Sequence, residues 1–187
     1  SKKGIETEGK IYLTKGDLRH SYDIEKVFQM SVKLNKSIES VIHFAGLKSV
    51  ADSVISPIDY WDNNVGGTLN LLKIMEKYNC KNIVFSSSAT IYKSKIKSKI
   101  KEDSELKPIN PYGNTKLAIE NLLNDLYKSE RNKWRIANLR YFNPVGAHSS
   151  GHLGEDPKNN VNNLFPSIFD AVQKKIKYLP IYGNDWP

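Results

Sequence analysis

The chain has 187 residues, of which 39% are hydrophobic and 26% are charged, as in a soluble globular protein with one domain or two. Its net charge of +8 comes mostly from lysines spread along the sequence. A nucleic-acid surface would instead show arginines or clustered basic residues with interleaved aromatics. No apolar run approaches the roughly 18 residues of a membrane-spanning helix, and the start has no apolar signal core.

The single cysteine, Cys80, excludes an internal disulfide and a metal site built on cysteines. It lies in a predicted turn between a helix and a strand, and we interpret it as a structural residue. A reducing, cytoplasmic location is the default expectation for such a chain.

Strand-like and helix-like patterns alternate along the whole sequence. Short apolar runs predict strands at 11–13, 41–45, 83–85, 136–140 and 177–181, and the run at 41–45 is typical of a strand buried on both faces of a parallel sheet. Apolar residues at helical spacing predict helices over 21–38, 59–78, 112–129 and 164–174. Each connection between strands has room for a crossover helix. The pattern therefore predicts a doubly wound, Rossmann-like α/β fold around a mostly parallel sheet.

A glycine-rich turn is missing from this pattern. A complete dinucleotide-binding fold opens with such a turn, whose backbone holds a pyrophosphate, but neither G-x-G-x-x-G nor G-x-x-G-x-x-G occurs here. The chain also begins close to one predicted strand and ends just after another. We therefore expect a piece of a larger protein, with the sheet incomplete at both ends.

The segment 93–101 carries a lysine at every second position. As a strand it would place like charges side by side on one face, where they repel. The acidic residues Glu102 and Asp103 follow at once. We interpret the segment as a solvated surface loop in preference to an anion-binding patch.

Tyr112 and Lys116 stand at the start of a predicted helix, after Pro111, whose missing N–H would have no partner there. Because they are four residues apart, their side chains lie on one helix face. A neighbouring ammonium lowers the pKa of a tyrosine from about 10, which favours acid/base catalysis near neutral pH. Taken alone, the pattern is more often an aromatic residue at a helix start followed by a solvated lysine.

Four predicted strands end in small or polar residues, and ligands of open α/β sheets bind beyond the carboxyl ends of the strands. These ends are Asp17-Leu18, Phe44-Ala45-Gly46, Ser86-Ser87-Ser88 and Tyr141-Phe142-Asn143. Each of them alone is explained equally well by turn chemistry. Together, with the Tyr112 helix start among them, they predict a ligand site.

Six segments of the chain carry a resemblance to a known family. They are 41–48 (VIHFAGLK), 62–68 (DNNVGGT), 85–90 (FSSSAT), 111–116 (PYGNTK), 139–148 (LRYFNPVGAH) and 154–157 (GEDP). In order and spacing they resemble the UDP-glucose 4-epimerases, a family of extended short-chain dehydrogenases/reductases. The Tyr-x-x-x-Lys pattern is shared by that whole superfamily, whereas the last two segments are much narrower signatures.

The resemblance implies a fold, a cofactor and a reaction. Residues 1–160 would be part of an NAD-binding Rossmann domain, and residues 161–187 the start of a UDP-sugar-binding region. The reaction would be the interconversion of UDP-glucose and UDP-galactose in galactose metabolism. In that family, hydride passes from sugar C4 to bound NAD, and the 4-keto sugar turns over and recovers the hydride on its other face.

The resemblance also implies roles for individual residues. Tyr112 would be the acid/base at the sugar 4-hydroxyl, and Lys116 would lower its pKa and bind the nicotinamide ribose. Ser88, supported by Thr90, would bridge the sugar and the tyrosine. The positions that match NAD contacts are Asp17, Leu18, Phe44, Ala45, Gly46, Leu47, Lys48, Asn63, Ser88, Tyr112, Lys116 and Phe142. Those that match substrate contacts are Ser88, Thr90, Tyr112, Asn143, Asn163, Leu164, Pro180, Ile181 and Tyr182.

The implied partners are a UDP-sugar and a second copy of the full-length protein, paired through the helices 59–78 and 112–129. Neither a nucleic acid nor a membrane is expected. We interpret His43 as a packed core residue in preference to a base. We expect no metal, because His148 and His152 have no third ligand at a suitable spacing. Without a glycine-rich turn and most of a substrate domain, the isolated chain is expected to bind NAD weakly and to turn over little.

Two other functions stay open. A nucleotide-sugar 4,6-dehydratase, or another nucleotide-sugar-modifying enzyme, would share the fold, but dehydratases usually have an Asp-Glu pair where this chain has Ala89-Thr90-Ile91. A non-catalytic NAD-sensing or interaction protein would tolerate the loss of Tyr112 or Lys116, and both are present. Lys93 stands where the epimerases usually have a glycine.

Overall fold

The computed structural model describes residues 11–94, 99–129, 133–154 and 164–181. The chain forms two compact units, of which the first spans residues 11–142 and the second includes everything described from residue 143 onward. The first unit contains the sheet and most of the helices. The second contains, among its described residues, the helix α6 (Leu164–Val172). The boundary at residue 160, which the resemblance implies between cofactor and sugar regions, stays a prediction.

The sheet of the first unit has three parallel strands among the described residues, β1 (Ser40–His43), β2 (Asn82–Ser88) and β3 (Arg135–Tyr141). They lie in the order β1-β2-β3, with β2 in the centre. Phe85 of β2 pairs with His43 on one side and with Asn138 on the other. The predicted α/β class with an open, parallel sheet is confirmed.

Five α-helices lie in the described part of the first unit, and the one at residues 50–55 was not predicted from the sequence. They are α1 (Ser21–Lys33), α2 (Val50–Ile55), α3 (Pro57–Tyr60), α4 (Gly67–Lys77) and α5 (Pro111–Lys128). A π-helical segment (Trp61–Gly66) joins α3 to α4, and a 3₁₀ turn (Ala89–Ile91) follows β2. The region predicted as one long helix, 59–78, is therefore helical throughout most of its length but contains a π-helical turn. None of the described helices is long and apolar enough to cross a membrane.

The core lies on one face of the sheet, where α1, α4 and α5 pack. Its fully buried side chains include Met75, Ile83, Phe85 and Leu123. Successive strand residues point to opposite faces, so Ile42 points away from this core and is 64% exposed, although its neighbour His43 is buried. The prediction that the run 41–45 is buried on both faces is wrong for Ile42 and Phe44, since the packed helices cover only the face of His43.

Two predicted strands are absent from the described residues. Residues 11–13 have no regular secondary structure, and their side chains are exposed. Residues 177–181 form bends and irregular backbone. A short apolar run becomes a strand only when a neighbouring strand satisfies its N–H and C=O groups, and these two runs lie beside no described strand.

Cys80 is buried as a free thiol in the core, and burial raises its pKa, as expected of a structural cysteine. In the lysine-rich segment, residues 95–98 lie outside the described part. Lys93 is exposed and pairs with Glu105 at 2.7 Å.

Candidate active site

The start of helix α5 is fixed by local bonds. The side chain of Asn110 accepts a hydrogen bond from the N–H of Gly113 at 2.8 Å, which satisfies one of the donors that a helix start leaves free, and Pro111 occupies the first helical position. Tyr112 and Lys116 follow on the buried side. The Lys116 ammonium lies 5.7 Å from the centre of the Tyr112 ring, so the predicted shared face is confirmed.

Ser88 reaches Tyr112 from the carboxyl end of β2. Its Oγ accepts hydrogen bonds from the N–H of Thr90 at 3.2 Å and from the Thr90 hydroxyl at 3.0 Å. With both of these accepted, the Ser88 proton is free to be donated to the phenol, and the hydrogen bond between Ser88 and Tyr112 acts to lower the tyrosine's pKa. The three hydroxyls therefore form a row that ends at Tyr112.

The ionisation of Tyr112 and Lys116 differs from the expectation. Burial raises the pKa of Tyr112 and outweighs the hydrogen bond from Ser88. Burial also lowers the pKa of Lys116 to about 8. The ammonium donates to the carbonyl of Ser86 at 2.7 Å and lies 4.8 Å from the centre of the Phe85 ring. In this structure the ammonium is bonded to the backbone of β2 and does not offset the rise in the Tyr112 pKa. The role of Lys116 at the tyrosine stays a prediction.

Two glycines allow this close packing. A Cβ at Gly113 would lie 2.8 Å from both the carbonyl oxygen of Thr90 and the Cβ of Pro108. Gly46 has a φ of +153°, and a Cβ there would lie 3.1 Å from Oδ1 of Asn64 and 3.9 Å from Nζ of Lys116. The first glycine brings helix α5 against the turn after β2. The second leaves bare backbone beside the buried ammonium.

Sequence analysis missed a buried polar network centred on Asn64, a residue of the π-helical segment. The Asn64 side chain accepts from the N–H of Leu47 at 2.8 Å and donates to its carbonyl at 3.0 Å. It also donates to the hydroxyl of Thr115 at 3.2 Å. A π-helical turn inside an α-helix often marks a functional site. The signal was present in the motif at 62–68, but spacing alone does not show which amide is buried.

Two further contacts were also missed. The ring of Tyr60 meets that of Tyr112 edge-on, with centroids 6.5 Å apart. Arg140 of β3 pairs with Glu120 of α5 at 2.7 Å and donates to the hydroxyl of Tyr92 at 2.9 Å. The first contact covers the tyrosine, and the second ties the helix that carries it to the edge of the sheet.

The other predicted site residues are distributed over both units. Phe44, Gly46, Leu47 and Lys48 follow β1, and Asn63 lies in the π-helical segment. Asp17 accepts hydrogen bonds from Arg19, which hold the pKa of its carboxyl well below the ordinary value. The remaining described positions are Leu18, Ala45 and Phe142 in the first unit, and Asn143, Leu164, Pro180 and Ile181 in the second. Asn163 and Tyr182 lie outside the described residues. The roles of all these positions stay predictions.

The described residues contain no cluster of three histidine, cysteine, aspartate or glutamate side chains that could hold a metal ion. His43 is buried, and its Nε2 lies 2.9 Å from the hydroxyl of Thr68. Since that hydroxyl donates to the carbonyl of Asn64 at 2.5 Å, it accepts from the imidazole. Burial lowers the pKa of His43 to about 4, aided by the charge of Lys116, so the ring is neutral near pH 7.

The model of the NAD dependent epimerase/dehydratase family matches residues 1–185 of this chain. The chain belongs to this family. It is 51% identical over 174 residues to a bifunctional UDP-glucose 4-epimerase and UDP-xylose 4-epimerase of Pisum sativum, covering 93% of this chain and 48% of that protein. It is 51% identical over 157 residues to a UDP-glucose 4-epimerase of Bacillus subtilis, covering 84% of this chain and 46% of that protein.

Solved structures of family members agree with this assignment. The crystal structure of UDP-glucose 4-epimerase from Bifidobacterium longum in complex with NAD+ and UDP superposes with a TM-score of 0.80 and 45% identity, covering 91% of this chain and 50% of that one. The Rossmann-like fold prediction is thereby confirmed. The chain spans about half the length of the family members that it matches.

Proposed function

We propose that the whole protein is an NAD-dependent UDP-glucose 4-epimerase, which interconverts UDP-glucose and UDP-galactose. The observation that carries the proposal is the meeting of Ser88, Tyr112 and Lys116 at the end of β2 and the start of α5. The proposal is supported by the names of relatives that are 51% identical to the chain. An Ala89-Thr90-Ile91 turn after the serines argues against a dehydratase.

The residues around Gly46 leave room for the flat ring of a dinucleotide cofactor. Gly46 presents backbone without a side chain next to the Lys116 ammonium, and the rings of Phe44 and Phe142 are exposed near the strand ends. We propose that Phe44 to Lys48, Asn63 and Lys116 hold NAD, together with Asp17 and Leu18 at the adenine. When bound, NAD supplies the acceptor for the hydrogen on sugar C4.

Proton transfer at the sugar falls to Tyr112. Its phenolate would take the proton of the 4-hydroxyl, and the resulting phenol would return that proton at the end of the cycle, while the Ser88 hydroxyl donates to whichever of the two oxygens carries negative charge. Burial raises the pKa of the tyrosine in this structure. Lys116 must therefore stabilise the phenolate when the cofactor and sugar are bound. Its ammonium lies 5.7 Å from the centre of the Tyr112 ring, close enough for its positive charge to favour the phenolate.

The test uses the full-length protein with UDP-galactose and NAD. We expect UDP-glucose to form without net release of NADH. Tyr112→Phe should lower kcat by at least about 100-fold, in line with the loss of a general acid/base. Tyr22→Phe, the same change at an exposed tyrosine of α1, is the matched control and should retain activity.

Three measurements test separate parts of this proposal. Steady NADH release or a 4-keto-6-deoxy product would refute the epimerase. A second assay with UDP-xylose tests whether the protein shares the bifunctional activity that the Pisum sativum relative's name gives. If the isolated 187-residue chain retained NAD through gel filtration, the proposed need for further cofactor-binding segments would be refuted.

A homodimer and a cytoplasmic location belong to the same proposal. Helices α2, α3 and α5 carry exposed apolar surface that includes the side chains of Ile55, Ile58 and Tyr127, and exposed apolar surface is a feature of interfaces between subunits. Pairing of two copies through α3, α4 and α5 would bury it. Analytical ultracentrifugation of the full-length protein checks the dimer, and the Ile58→Lys variant should shift it towards monomer.

A further inference from the structure

The buried network around Asn64 joins three elements that meet at the site. The Asn64 amide makes two bonds to the backbone of Leu47, in the loop after β1. It makes a third to the hydroxyl of Thr115, on α5. The carbonyl of Asn64 is held in turn by the hydroxyl of Thr68, to which His43 donates. The π-helical segment is therefore tied to β1, to the loop that follows β1, and to α5.

Thr115 is the link between this network and the site. Its side chain is fully buried, and it precedes Lys116 in the sequence. Its hydroxyl accepts from Asn64 and donates to the carbonyl of Tyr112 at 2.7 Å. A threonine that bonds back to a carbonyl of its own helix commonly bends that helix. Here the bond lies in the turn of α5 that carries both Tyr112 and Lys116.

The network also borders the ammonium directly. The position of a Cβ on Gly46 would lie within 4 Å of both Oδ1 of Asn64 and Nζ of Lys116. A rotation of the first turn of α5 would therefore move Lys116 relative to the bare backbone of Gly46. It would also loosen the bond from Lys116 to the carbonyl of Ser86.

We propose that Thr115 is a positioning residue, whose hydroxyl holds the first turn of α5 against Asn64 and so sets the place of the Lys116 ammonium beside Tyr112. Its side chain is fully buried, so it acts through Lys116 and Tyr112 and not through contact with a ligand. The catalytic consequence of this inference rests on the proposed function.

The first test measures the placement of Lys116 without any activity. Carbamylation of Lys116 by cyanate, followed by peptide mass spectrometry across pH, gives the midpoint of its titration. In Thr115→Val, which replaces the hydroxyl by a methyl group of similar size, the ammonium should become better hydrated. The pKa of Lys116 should then move from about 8 upward towards the ordinary value, and Thr115→Ser should restore the wild-type midpoint.

Ser53→Ala provides the matched control. Ser53 is a fully buried hydroxyl that donates to a carbonyl of its own helix, that of Val50 at 2.6 Å, on α2. Its removal breaks the same kind of bond on a different helix, outside the network of Asn64 and Thr115, so the midpoint should not move. If Thr115→Val does not fold, Thr115→Ala removes the same hydroxyl with good helix propensity. An unchanged midpoint in the Thr115 variant, or an equal shift in Ser53→Ala, would overturn the proposal.

The second test follows the pH profile of epimerase kcat in the full-length protein. Thr115→Val should lower kcat by about 10-fold and displace the profile, with little change in KM, and Thr115→Ser should recover both. A loss of kcat with an unmoved profile, or no recovery by serine, would contradict a positioning role. Failure of the wild-type protein to epimerise UDP-galactose would refute the proposed function and would leave the carbamylation result to decide the role of Thr115.

Discussion

His43 provides the sharpest test of the buried network, because its ionisation is linked to folding. The imidazole is 3% exposed, donates to Thr68 and lies 5.6 Å from the ring of Phe85. Its pKa is about 4, against an ordinary value of 6.5. The unfolded chain therefore takes up the proton first as the pH falls. The stability that the neutral ring contributes is complete above pH 6.5 and is lost progressively as the pH falls towards 4.

The size of this effect follows from the two pKa values. At pH 5 the unfolded histidine is almost fully protonated and the folded one largely neutral, which corresponds to a loss of about 2 kcal/mol of unfolding free energy relative to pH 7. The pKa values of carboxylates such as Asp17 and Glu25 are lowered by their partners, so protonation of these groups also destabilises the folded protein in acid. The contribution of His43 must therefore be isolated with a variant.

The assay is urea unfolding at pH 7 and at pH 5, for the wild type and for His43→Gln, whose amide can still donate to Thr68. The variant should be less stable at pH 7, but its loss between pH 7 and pH 5 should be smaller than that of the wild type by about 2 kcal/mol. Ile83→Val, a change in the neighbouring strand, is the control. It should lower stability by about 1 kcal/mol equally at both pH values. An equal acid loss in the wild type and in His43→Gln would refute the reasoning.

Two further predictions concern helix α5. Glu120→Gln leaves the Arg140 guanidinium without its carboxylate, and because the two side chains are only 6% and 20% exposed, urea unfolding should show a loss of about 3 kcal/mol. Glu105→Gln, which breaks the exposed pair with Lys93, should lose much less stability, because solvent screens an exposed ion pair. Equal losses in the two variants would contradict the role of burial. Gly113→Ala forces a Cβ to within 2.8 Å of the Thr90 carbonyl oxygen, so kcat should fall by about 10- to 100-fold while the circular dichroism spectrum stays unchanged. Full activity would show that the close contact between Gly113 and the Thr90 carbonyl is not needed.

The main elements of the fold could be predicted from the sequence because their signals are local. Runs of apolar residues predicted the three strands of the sheet, and apolar residues at helical spacing predicted α1, α4 and α5. The ends of α5 were predicted to within one residue, whereas α4 begins eight residues after the predicted start at residue 59. The helix start at Pro111 was predicted correctly for the same reason, since Asn110 and Pro111 act on their own turn. The strands predicted at 11–13 and 177–181 were wrong, because a strand depends on a neighbouring strand that its own sequence does not specify.

The candidate site divides in the same way. The sequence by itself determined that Tyr112 and Lys116 share a helix face, because a spacing of four residues does so in any α-helix, and that Ser88 lies at the end of a strand. Only the tertiary structure decided how these groups ionise, since burial raises the pKa of the tyrosine and lowers that of the lysine. It also decided that Asn64 bonds to Thr115, 51 residues away. Contacts and burial of this kind depend on how distant segments pack, and no local spacing encodes them.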